Sequence, residues 1–354
     1  MSEVRTIGIL GGGQLGRMLS VAASRLGLRC HIYEPGANPP AAEVAHACTT
    51  ASYQDEAALR AFARSVDVIT YEFENIPTSA LDLLEDLRPI RPGREALRVS
   101  QDRLTEKSFL RDLGLATAPF ADVTDAASMT AALDEIGTPA ILKTRRLGYD
   151  GKGQARLSTP ADAEAARAAM NGAPAILEGF VDFSREISVI AARNADGDVA
   201  CFDPGENLHD DGILRRTTVP ARIPGPMRMD AVLIASKILN ALDYVGVLGV
   251  ELFVTPGGLV VNEIAPRVHN SGHWTQNGCV VDQFEQHIRA VAGWPLGDGA
   301  RHADVVMENL IGEDMERVPE LARRPDTALH LYGKAETRAG RKMGHANIVT
   351  AKST

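Results

Sequence analysis

The chain has 354 residues, of which 45% are hydrophobic and 23% charged, and it carries a formal net charge of −9. This length predicts two or three domains, because a single hydrophobic core does not usually extend over so many residues. The composition is that of a soluble globular protein. The negative charge argues against a nucleic-acid surface, which needs a basic stripe, and small molecules are the expected partners.

The start of the chain and its most apolar stretch show no export or membrane signal. Residues 1–5 lead directly into an apolar strand, and the apolar stretch 244–254 is too short to span a bilayer. The four cysteines form no C-x-x-C pair, which favours reduced thiols over a disulfide framework or a zinc site. We therefore expect a cytoplasmic protein without membrane partners.

Short apolar runs alternate with helical spacing over the first part of the chain. The predicted strands are residues 6–10, 29–33 and 68–71, and the predicted helices are 14–26 and 55–65. Such β-α-β alternation indicates a parallel sheet with helices on both faces. Prolines 89 and 92 and Gly93 then break the pattern, so we place a Rossmann-like domain at residues 1–100.

The remaining chain divides into a small α+β block, residues 101–180, and a larger mixed part, residues 181–354. The small block has predicted helices at 102–113, 125–136 and 160–170 and predicted strands at 140–143 and 175–179. The larger part has predicted strands at 187–192, 199–202, 214–219, 245–254 and 259–264, and predicted helices at 231–242 and 283–291. The segment 255–258, Thr-Pro-Gly-Gly, is a hairpin turn signal. The fold class is therefore α/β combined with α+β.

A G-x-G-x-x-G pattern at residues 11–16 follows the first strand and opens a helix, and Glu34 ends the next strand. This arrangement is typical of NAD-binding domains, in which an acid binds the ribose. Prolines at 35, 39 and 40 make an unusual dinucleotide pocket, so a NAD-dependent dehydrogenase is disfavoured. The start of the helix could still receive another phosphate or polar ligand.

A glycine-rich segment at residues 148–154 follows the predicted strand that ends at Lys143. Its glycines free backbone N–H groups, and a lysine at a strand end can reach a nucleotide phosphate as a point charge. A solvated lysine is the alternative, but Arg145, Arg146 and Lys152 flank the same loop. The spacing fits neither a Walker A loop nor a protein-kinase loop, yet it predicts a loop that folds over phosphates.

Acids further along the chain extend this prediction. The segment 178–181, with Glu186 after it, could bind adenine through backbone groups and ribose through a carboxylate, or could be an ordinary linker. Glu251 and Glu263 lie inside apolar strands joined by the hairpin turn, where a lone buried acid is costly. Two acids on paired strands can converge on one Mg²⁺, which prefers carboxylates plus substrate phosphates.

A loop with cations follows Glu263. His269 and His273 form an H-x-x-x-H pair, but Pro266 and the intervening Asn-Ser-Gly disfavour the helix that a zinc site would need. We prefer a loop in which Arg267 and His269 bind an anion, with the arginine as a fixed fork. A second basic cluster is either a solvated tail or a phosphate site: Lys334, Arg338, Gly340, Arg341 and Lys342.

The glycine-rich segment at 148–154, the segment 178–186 and the loop from Asn262 to His273 resemble the ATP-grasp superfamily. Within it, they resemble the N5-carboxyaminoimidazole ribonucleotide synthase family of purine biosynthesis. The resemblance runs in order over nearly the whole chain, and its most specific part is His-Asn-Ser-Gly-His-Trp-Thr-Gln at residues 269–276. It implies an ATP-grasp fold with a Rossmann-like pre-ATP-grasp domain, a small α+β lid domain and a larger C-terminal domain. It also suggests a homodimer.

The resemblance implies that ATP, bicarbonate and 5-aminoimidazole ribonucleotide give N5-carboxyaminoimidazole ribonucleotide, ADP and phosphate through carboxyphosphate, with Mg²⁺ or Mn²⁺ as cofactor. The residues carried over for catalysis are Arg267, His269, Asn270 and Lys334. Those for ATP are Arg103, Lys143, Gly148, Tyr149, Asp150, Gly151, Lys152, Gly153, Gln154, Glu178, Gly179, Phe180, Val181, Glu186, His209 and Asn262. Those for the metal are Glu251 and Glu263, and those for the ribonucleotide are Gln14, Glu74, Tyr149, Asp150, Arg267, Lys334, Arg341 and Lys342.

The sequence departs from the family pattern in two places. Ala339 stands where the family usually has proline, which loosens a turn without removing a ligand, and the sequence stops at Thr354, where relatives usually continue through a terminal helix. The nearest alternative is another ATP-grasp ligase, such as formate-dependent glycinamide ribonucleotide transformylase, with a similar ATP site. A regulatory protein without turnover is a further alternative, against which the intact Lys143, Glu251 and Glu263 argue.

Overall fold

The protein was analysed as a computed structural model, which describes residues 4–148 and 153–353. Its first sheet is parallel, in the order β3-β2-β1-β4, as the alternating pattern predicts. The strands are β1 (Thr6–Leu10), β2 (Arg29–Tyr33), β3 (Ala47–Thr49) and β4 (Val68–Tyr71), and the helices are α1 (Gln14–Arg25), α2 (Glu56–Arg64), α3 (Thr78–Glu85) and α4 (Arg94–Ser100). The Rossmann-like prediction is confirmed, although the short β3, α3 and α4 were not predicted.

The second sheet is antiparallel and has the order β5-β8-β6-β7. Its strands are β5 (Phe120–Val123), β6 (Ala140–Thr144), β7 (Gln154–Leu157) and β8 (Ala175–Gly179), and the helices nearby are α5 (Arg103–Asp112), α6 (Ala126–Ile136) and α7 (Ala163–Ala169). Asp102 and Asp125 cap α5 and α6 by accepting backbone N–H groups. The predicted helix 160–170 is divided, because a 3₁₀ turn at Pro160–Asp162 precedes α7.

The third sheet has nine strands, in the order β14-β13-β9-β11-β12-β15-β17-β16, with β10 paired to β9. Its strands are β9 (Arg185–Arg193), β10 (Val199–Cys201), β11 (Gly205–Asp210), β12 (Ile213–Val219), β13 (Gly246–Thr255), β14 (Gly258–Ala265), β15 (Ala303–Ile311), β16 (Thr327–Leu331) and β17 (Lys342–Ala351). The accompanying helices are α8 (Gly225–Ala241), α9 (Thr275–Gly278), α10 (Gln283–Val291) and α11 (Val318–Leu321). The predicted hairpin is confirmed, since Thr255 pairs with Gly258.

The predicted start of one helix in this part of the chain was wrong. Helix α8 begins at Gly225, six residues before the predicted 231, because Pro226 occupies its first turn, where a missing N–H does no harm. Of the two alternatives for the basic cluster, a solvated tail does not hold at Lys342, because this residue opens β17, which lies between β15 and β16.

Buried polar contacts join the first sheet to the third. The imidazole of His287 in α10 is fully buried; its Nε2 lies 2.8 Å from Thr70 Oγ1 in β4, and its Nδ1 accepts the N–H of Val247 at 3.1 Å. Arg91 donates to the carbonyl of Val291 at 2.9 Å. These contacts fix the position of the Rossmann-like part against the sheet that carries the site. In the part of the chain that the structure describes, no helix is long and apolar enough to cross a membrane.

Candidate active site

Glu251 and Glu263 lie on the two strands of the predicted hairpin and are directly paired across β13 and β14, because a register shift between Glu251 and Leu252 brings Glu263 opposite Glu251. Glu263 accepts a hydrogen bond from Arg103 at 3.1 Å, and although burial opposes ionisation, the nearby cations hold its pKa below the ordinary value. Burial and the charge of Glu263 raise the pKa of Glu251 to about 7. Two carboxylates thus share a low-dielectric space in which their negative charge is incompletely balanced.

This pair suits a hard divalent cation. The raised pKa of Glu251 indicates negative charge that a cation would relieve, and Asn262 precedes Glu263 in β14. Within residues 4–148 and 153–353 no group of three or more His, Cys, Asp or Glu side chains could hold a metal. Phosphate oxygens of a substrate would therefore complete the coordination, which is the arrangement that Mg²⁺ prefers.

Lys143 and Glu178 meet at the predicted nucleotide site. The ammonium of Lys143 in β6 donates to Glu178 Oε2 in β8 at 2.9 Å, and Lys107 lies 3.5 Å from the same oxygen. Burial opposes ionisation of Glu178, but the two lysines hold its pKa below the ordinary value. Its second oxygen, Oε1, is buried without a hydrogen-bond partner in the structure. A ligand donor would satisfy that oxygen.

Sequence reasoning missed Glu106 and Lys107, which face the site from α5. Lys107 donates to the carbonyl of Asn262 at 2.7 Å, and Glu106 accepts the N–H of Ile264 at 2.5 Å. Burial and the charge of Glu263 raise the pKa of Glu106 to about 8. A signal existed, because positions 103, 106 and 107 share one face of the predicted helix and all carry charge.

The glycine loop is described at its two ends. Gly153 adopts a φ of +72°, and a Cβ atom there would lie 2.6 Å from Thr144 Oγ1, so only glycine fits without strain. Gly148 and Gln154 are also described, and Gln154 pairs with Lys143. The predicted ligands Tyr149, Asp150, Gly151 and Lys152 lie outside the described residues.

The two arginines that flank the glycine loop in the sequence bind side chains next to the start of α5. Arg145 makes an ion pair with Asp102 at 2.9 Å, and Arg146 donates to Gln101 at 3.0 Å. Both guanidiniums therefore bind to the region around the start of α5. They fix the second sheet (the lid sheet, β5-β8-β6-β7) against that helix.

The segment that leaves the lid sheet contributes backbone and aromatic groups. Phe180 donates its N–H to Pro139 at 3.0 Å, and the Arg156 guanidinium lies 4.7 Å from the centre of its ring. Gly179 ends β8, and Val181 follows Phe180 outside any strand. The adenine contacts predicted for residues 178–181 remain a prediction.

Glu186 and His209 lie together on the third sheet. Glu186 Oε2 and His209 Nδ1 are 2.6 Å apart, on the neighbouring strands β9 and β11. Burial opposes protonation of His209, but Glu186 raises its pKa above the ordinary value. The structure thus brings together two of the predicted ATP residues, and their pairing orients both side chains.

The loop after β14 (the anion loop, residues 266–269) brings Arg267 and His269 to the carboxylate pair. Arg267 Nε donates to Glu74 Oε2 at 2.6 Å, and His269 Nε2 lies 3.4 Å from Glu251 Oε1. Burial and the charge of Arg267 lower the pKa of His269 to about 3. His269 is therefore neutral, and of the two predicted anion ligands only Arg267 supplies charge.

The two histidines of the H-x-x-x-H pair have separate surroundings. His273 is buried, and its Nδ1 lies 2.9 Å from Gln283 Nε2 in α10. A 3₁₀ turn at Asn270–Gly272 separates the two residues, which agrees with the prediction that no α-helix aligns them. Asn270 exchanges two amide hydrogen bonds with buried Asn309 in β15, at 2.9 and 2.7 Å. Gln283 and Asn309 were not predicted, because uncharged polar residues with distant partners leave no local pattern.

The predicted ribonucleotide residues come from different parts of the chain. Lys334 donates to the carbonyl of Lys342 at 2.7 Å, and Arg341 donates to the carbonyl of Glu336 at 2.8 Å. Gln14 is the first residue of α1. Glu74 reaches Arg267 from the Rossmann-like part, so this substrate candidate contacts the anion loop directly.

The G-x-G-x-x-G turn is filled from within the chain. Glu72, the residue after β4, accepts the N–H groups of Gly13 and Gly16, the latter at 2.7 Å. Glu34 accepts the N–H groups of Gly12 and Gly36 at 2.9 and 2.8 Å. A carboxylate thus occupies the position that a dinucleotide phosphate takes at a helix start, which supports rejection of the NAD interpretation.

Three comparisons with known proteins agree with this geometry. The sequence matches family models for the ribonucleotide synthetase preATP-grasp domain over residues 4–101, the ATP-grasp domain over 108–284, and the phosphoribosylaminoimidazole carboxylase C-terminal domain over 305–354. It is 56% identical to the N5-carboxyaminoimidazole ribonucleotide synthase of Brucella melitensis, covering 98% of this chain and 97% of that protein.

Solved structures give the same result. A crystal structure of an N5-carboxyaminoimidazole ribonucleotide synthetase with ADP superimposes with a TM-score of 0.95 at 43% identity, covering 99% of this chain and 93% of that one. The synthase of Aspergillus clavatus, solved with ADP and 5-aminoimidazole ribonucleotide, gives 0.93 at 30% identity, with 99% and 95% covered. The chain therefore belongs to the N5-carboxyaminoimidazole ribonucleotide synthase family of ATP-grasp enzymes.

Proposed function

We infer that the protein is a ligase that uses ATP to carboxylate 5-aminoimidazole ribonucleotide with bicarbonate, giving N5-carboxyaminoimidazole ribonucleotide, ADP and phosphate. The observation that carries this inference is the paired Glu251 and Glu263 beside Arg267, in a chain that matches this family from end to end. The match of residues 305–354 to a carboxylase C-terminal domain favours carboxylation over the formate-dependent alternative.

The chemistry explains why ATP is needed. The carbon of bicarbonate is a poor electrophile, because negative charge shields it and hydroxide is a poor leaving group. Transfer of the γ-phosphoryl group of ATP to a bicarbonate oxygen gives carboxyphosphate and ADP. The ribonucleotide amine then bonds to the carbon either of carboxyphosphate itself or of carbon dioxide released from it. In both routes phosphate leaves with the electron pair of the broken C–O bond, and the amine loses a proton. Catalysis of such transfers rests mainly on positioning and charge neutralisation.

We assign the nucleotide side of the site to the lid sheet and the strands below it. Lys143 supplies a point charge for the phosphates, and Glu178 holds that lysine and keeps a free oxygen for a ligand donor. Glu186 and His209, which contact each other, would bind the ribose side of ATP. The glycine loop would cover the phosphates and exclude water, since carboxyphosphate hydrolyses readily.

Glu251 and Glu263 would hold Mg²⁺, or Mn²⁺, through their carboxylate oxygens, and Asn262 beside them would contact ATP. A bound divalent cation supplies neutralisation of the charge on the transferring phosphoryl group. Arg267, held by Glu74, presents a fixed guanidinium to the bicarbonate or carboxyphosphate anion. Lys334, Arg341 and Lys342 are the cations that would bind the ribonucleotide.

The assembly and location of the protein are also proposals. The family resemblance supports a homodimer, which sedimentation equilibrium would test. All four cysteines are unpaired, as is usual in a reducing compartment, and this supports a cytoplasmic location.

The test is ADP release from Mg·ATP and 5-aminoimidazole ribonucleotide, with and without bicarbonate, alongside incorporation of labelled bicarbonate into product. Label incorporated in step with ADP would establish the carboxylase. ADP release without incorporation would refute the assigned acceptor, and the same assay with formate and glycinamide ribonucleotide would then test the alternative ligase.

A further inference from the structure

Two buried serines next to the anion loop have no part in the assignments above. Ser188 lies in β9 and Ser271 in the 3₁₀ turn after β14, and their side chains are almost fully inaccessible to solvent. Ser188 donates its hydroxyl to Ser271 Oγ at 2.7 Å. Ser271 Oγ in turn lies 2.8 Å from Nδ1 of His269. A row of polar groups therefore runs from the interior of the sheet to the histidine of the site.

The direction of these hydrogen bonds determines which ring nitrogen carries a hydrogen. Since Ser271 Oγ accepts from Ser188, its own hydrogen is available for His269 Nδ1. The backbone N–H of Ser271 also points to Nδ1, at 3.4 Å. Nδ1 is therefore an acceptor, and an imidazole whose Nδ1 accepts a hydrogen bond carries its hydrogen on Nε2, the nitrogen that faces Glu251.

The ring is also fixed in place from other sides. A Cβ atom on Gly249 in β13 would lie 2.8 Å from the Cβ atom of His269, so the strand leaves the imidazole no room to move towards it. Gln283 binds the main chain of His269 twice, accepting its N–H at 2.9 Å and donating to its carbonyl at 2.8 Å. Tautomer and position are thus both determined by the surroundings.

We propose that Ser188 and Ser271 are positioning residues that hold His269 as the Nε2–H tautomer, so that His269 acts as a neutral hydrogen-bond donor to an oxyanion. The donor would serve the bicarbonate or carboxyphosphate oxygens, and this part rests on the proposed function. A role of His269 as the base that takes the amine proton is incompatible with this tautomer, because Nε2 already carries hydrogen.

The experiment combines spectroscopy with kinetics on the full chain. Histidine ¹⁵N NMR, with the His269 signals assigned by their loss in His269→Gln, reports the protonated ring nitrogen without any turnover. We expect Nε2–H in the wild type and a mixture of tautomers in Ser271→Ala. Wild-type protein with hydrogen on Nδ1, or Ser271→Ala with an unchanged tautomer, would overturn the proposal.

The kinetic part uses Ser271→Ala, Ser188→Ala and the hydroxyl-retaining Ser271→Thr. Loss of an outer hydrogen bond to a site histidine typically costs about tenfold in activity, so kcat/KM for bicarbonate should fall about tenfold in Ser271→Ala. The value of kcat/KM for bicarbonate should fall less in Ser188→Ala, and Ser271→Thr should keep most of the wild-type value. KM for ATP should not change in any of these variants.

Ser236→Ala is the matched control, because Ser236 is a half-buried serine of α8 that donates to the carbonyl of Val232 at 2.9 Å. It should keep the wild-type rate. A full rate in Ser271→Ala, or equal losses in bicarbonate and ATP parameters with a lower melting temperature, would contradict the positioning role. Absence of carboxylation by the wild type would refute the proposed function, while the NMR result would still decide the tautomer.

Discussion

Arg267 and Glu74 join the anion loop to the Rossmann-like part of the chain through a two-point ion pair. The guanidinium donates from Nε to Glu74 Oε2 at 2.6 Å and from Nη2 to Oε1 at 3.3 Å. Two parallel hydrogen bonds fix the plane of a guanidinium as well as its position. The orientation of the charge that would meet bicarbonate therefore depends on a residue in the segment between β4 and α3 of the Rossmann-like part.

Replacement of Glu74 by glutamine should impair catalysis through Arg267. The amide cannot accept both hydrogen bonds, and a charge-assisted hydrogen bond contributes roughly 1.5–3 kcal/mol, so we expect kcat/KM for bicarbonate to fall by about tenfold or more. KM for ATP should change little, because Glu74 contacts the loop and not the lid. Steady-state kinetics with each substrate varied in turn measures both values.

The matched control is Glu95→Gln. Glu95 binds Arg98 with the same Nε and Nη2 geometry, at 2.7 and 2.6 Å, but on an exposed helix surface. Exposed ion pairs contribute little, so this variant should retain normal kinetics. Equal effects of the two substitutions would show that loss of any such pair, and not release of Arg267, lowers the rate.

Glu263→Gln should abolish turnover while the protein stays folded. The substitution keeps the shape of the side chain but removes one of the two charges that would hold the divalent cation. A bound cation stabilises the charge of the transition state by several kcal/mol. We therefore expect a rate loss of about 100-fold or more, with a melting temperature close to that of the wild type. Unchanged activity would refute the metal role of this residue.

Glu308→Gln provides the control for that substitution. Glu308 lies in the same nine-stranded sheet and binds an arginine, Arg317, at 2.9 Å, as Glu263 binds Arg103. It belongs to no part of the proposed site. Normal turnover in this variant would show that the effect at Glu263 does not come from the loss of an ion pair on the sheet.

Local sequence signals predicted the parts of the site whose partners are close along the chain. The placement of Glu251 and Glu263 on adjacent strands follows from the hairpin turn at 255–258, but their direct pairing depends on a register shift between Glu251 and Leu252 that the turn does not predict. The Rossmann-like sheet follows from alternation alone. The family resemblance added the order of the remaining motifs and the expectation of an ATP-grasp fold, which the comparisons confirm.

Residues with distant partners could not be found in this way. The contact between Lys143 and Glu178 depends on the pairing of β6 with β8, which are not consecutive strands. Ser188, Gln283 and Asn309 are uncharged and buried, so no charge or spacing distinguishes them before the fold is known. Lys107 is buried only because three separate elements enclose it.

Gly153→Ala should weaken ATP binding by changing the end of the glycine loop. An added Cβ atom would lie 2.6 Å from Thr144 Oγ1, and the φ of +72° is itself unfavourable for alanine. The loop must then shift next to Lys143, which pairs with Gln154. We expect calorimetry to give a Kd for ATP about tenfold higher than in the wild type. This factor corresponds to a loss of about 1.4 kcal/mol of binding free energy.

Gly172→Ala distinguishes the effect of the contact with Thr144 from the effect of the unfavourable φ. Gly172 has a similar φ of +76°, but nothing lies within 4 Å of its added Cβ atom. This variant should lose about 1–2 kcal/mol of stability from backbone strain and keep its ATP affinity. A similar loss of ATP affinity in both variants would contradict the steric argument at Gly153.

The buried histidine between the sheets should make stability depend on pH. Burial lowers the pKa of His287 to about 3, whereas in the unfolded chain a histidine has a pKa of about 6.5. The unfolded state therefore binds a proton that the folded state does not, and stability falls as pH decreases from about 6.5 towards 3. The contribution of this one residue is about 1.4 kcal/mol per pH unit over that range.

His287→Phe should remove this contribution. At pH 7.5 the variant leaves the N–H of Val247 without its acceptor, and we expect a free energy of unfolding about 1–3 kcal/mol below the wild type. At pH 5 the free energy of unfolding of the wild type is about 2 kcal/mol lower than at pH 7.5, because His287 is protonated in the unfolded state, and the variant has no such loss. The difference in free energy of unfolding between wild type and variant should therefore nearly vanish. Urea unfolding at both pH values measures it, with exposed His302→Phe as the control that should leave both values unchanged. A difference between wild type and His287→Phe that stays constant with pH would show that His287 does not remain neutral in the folded protein.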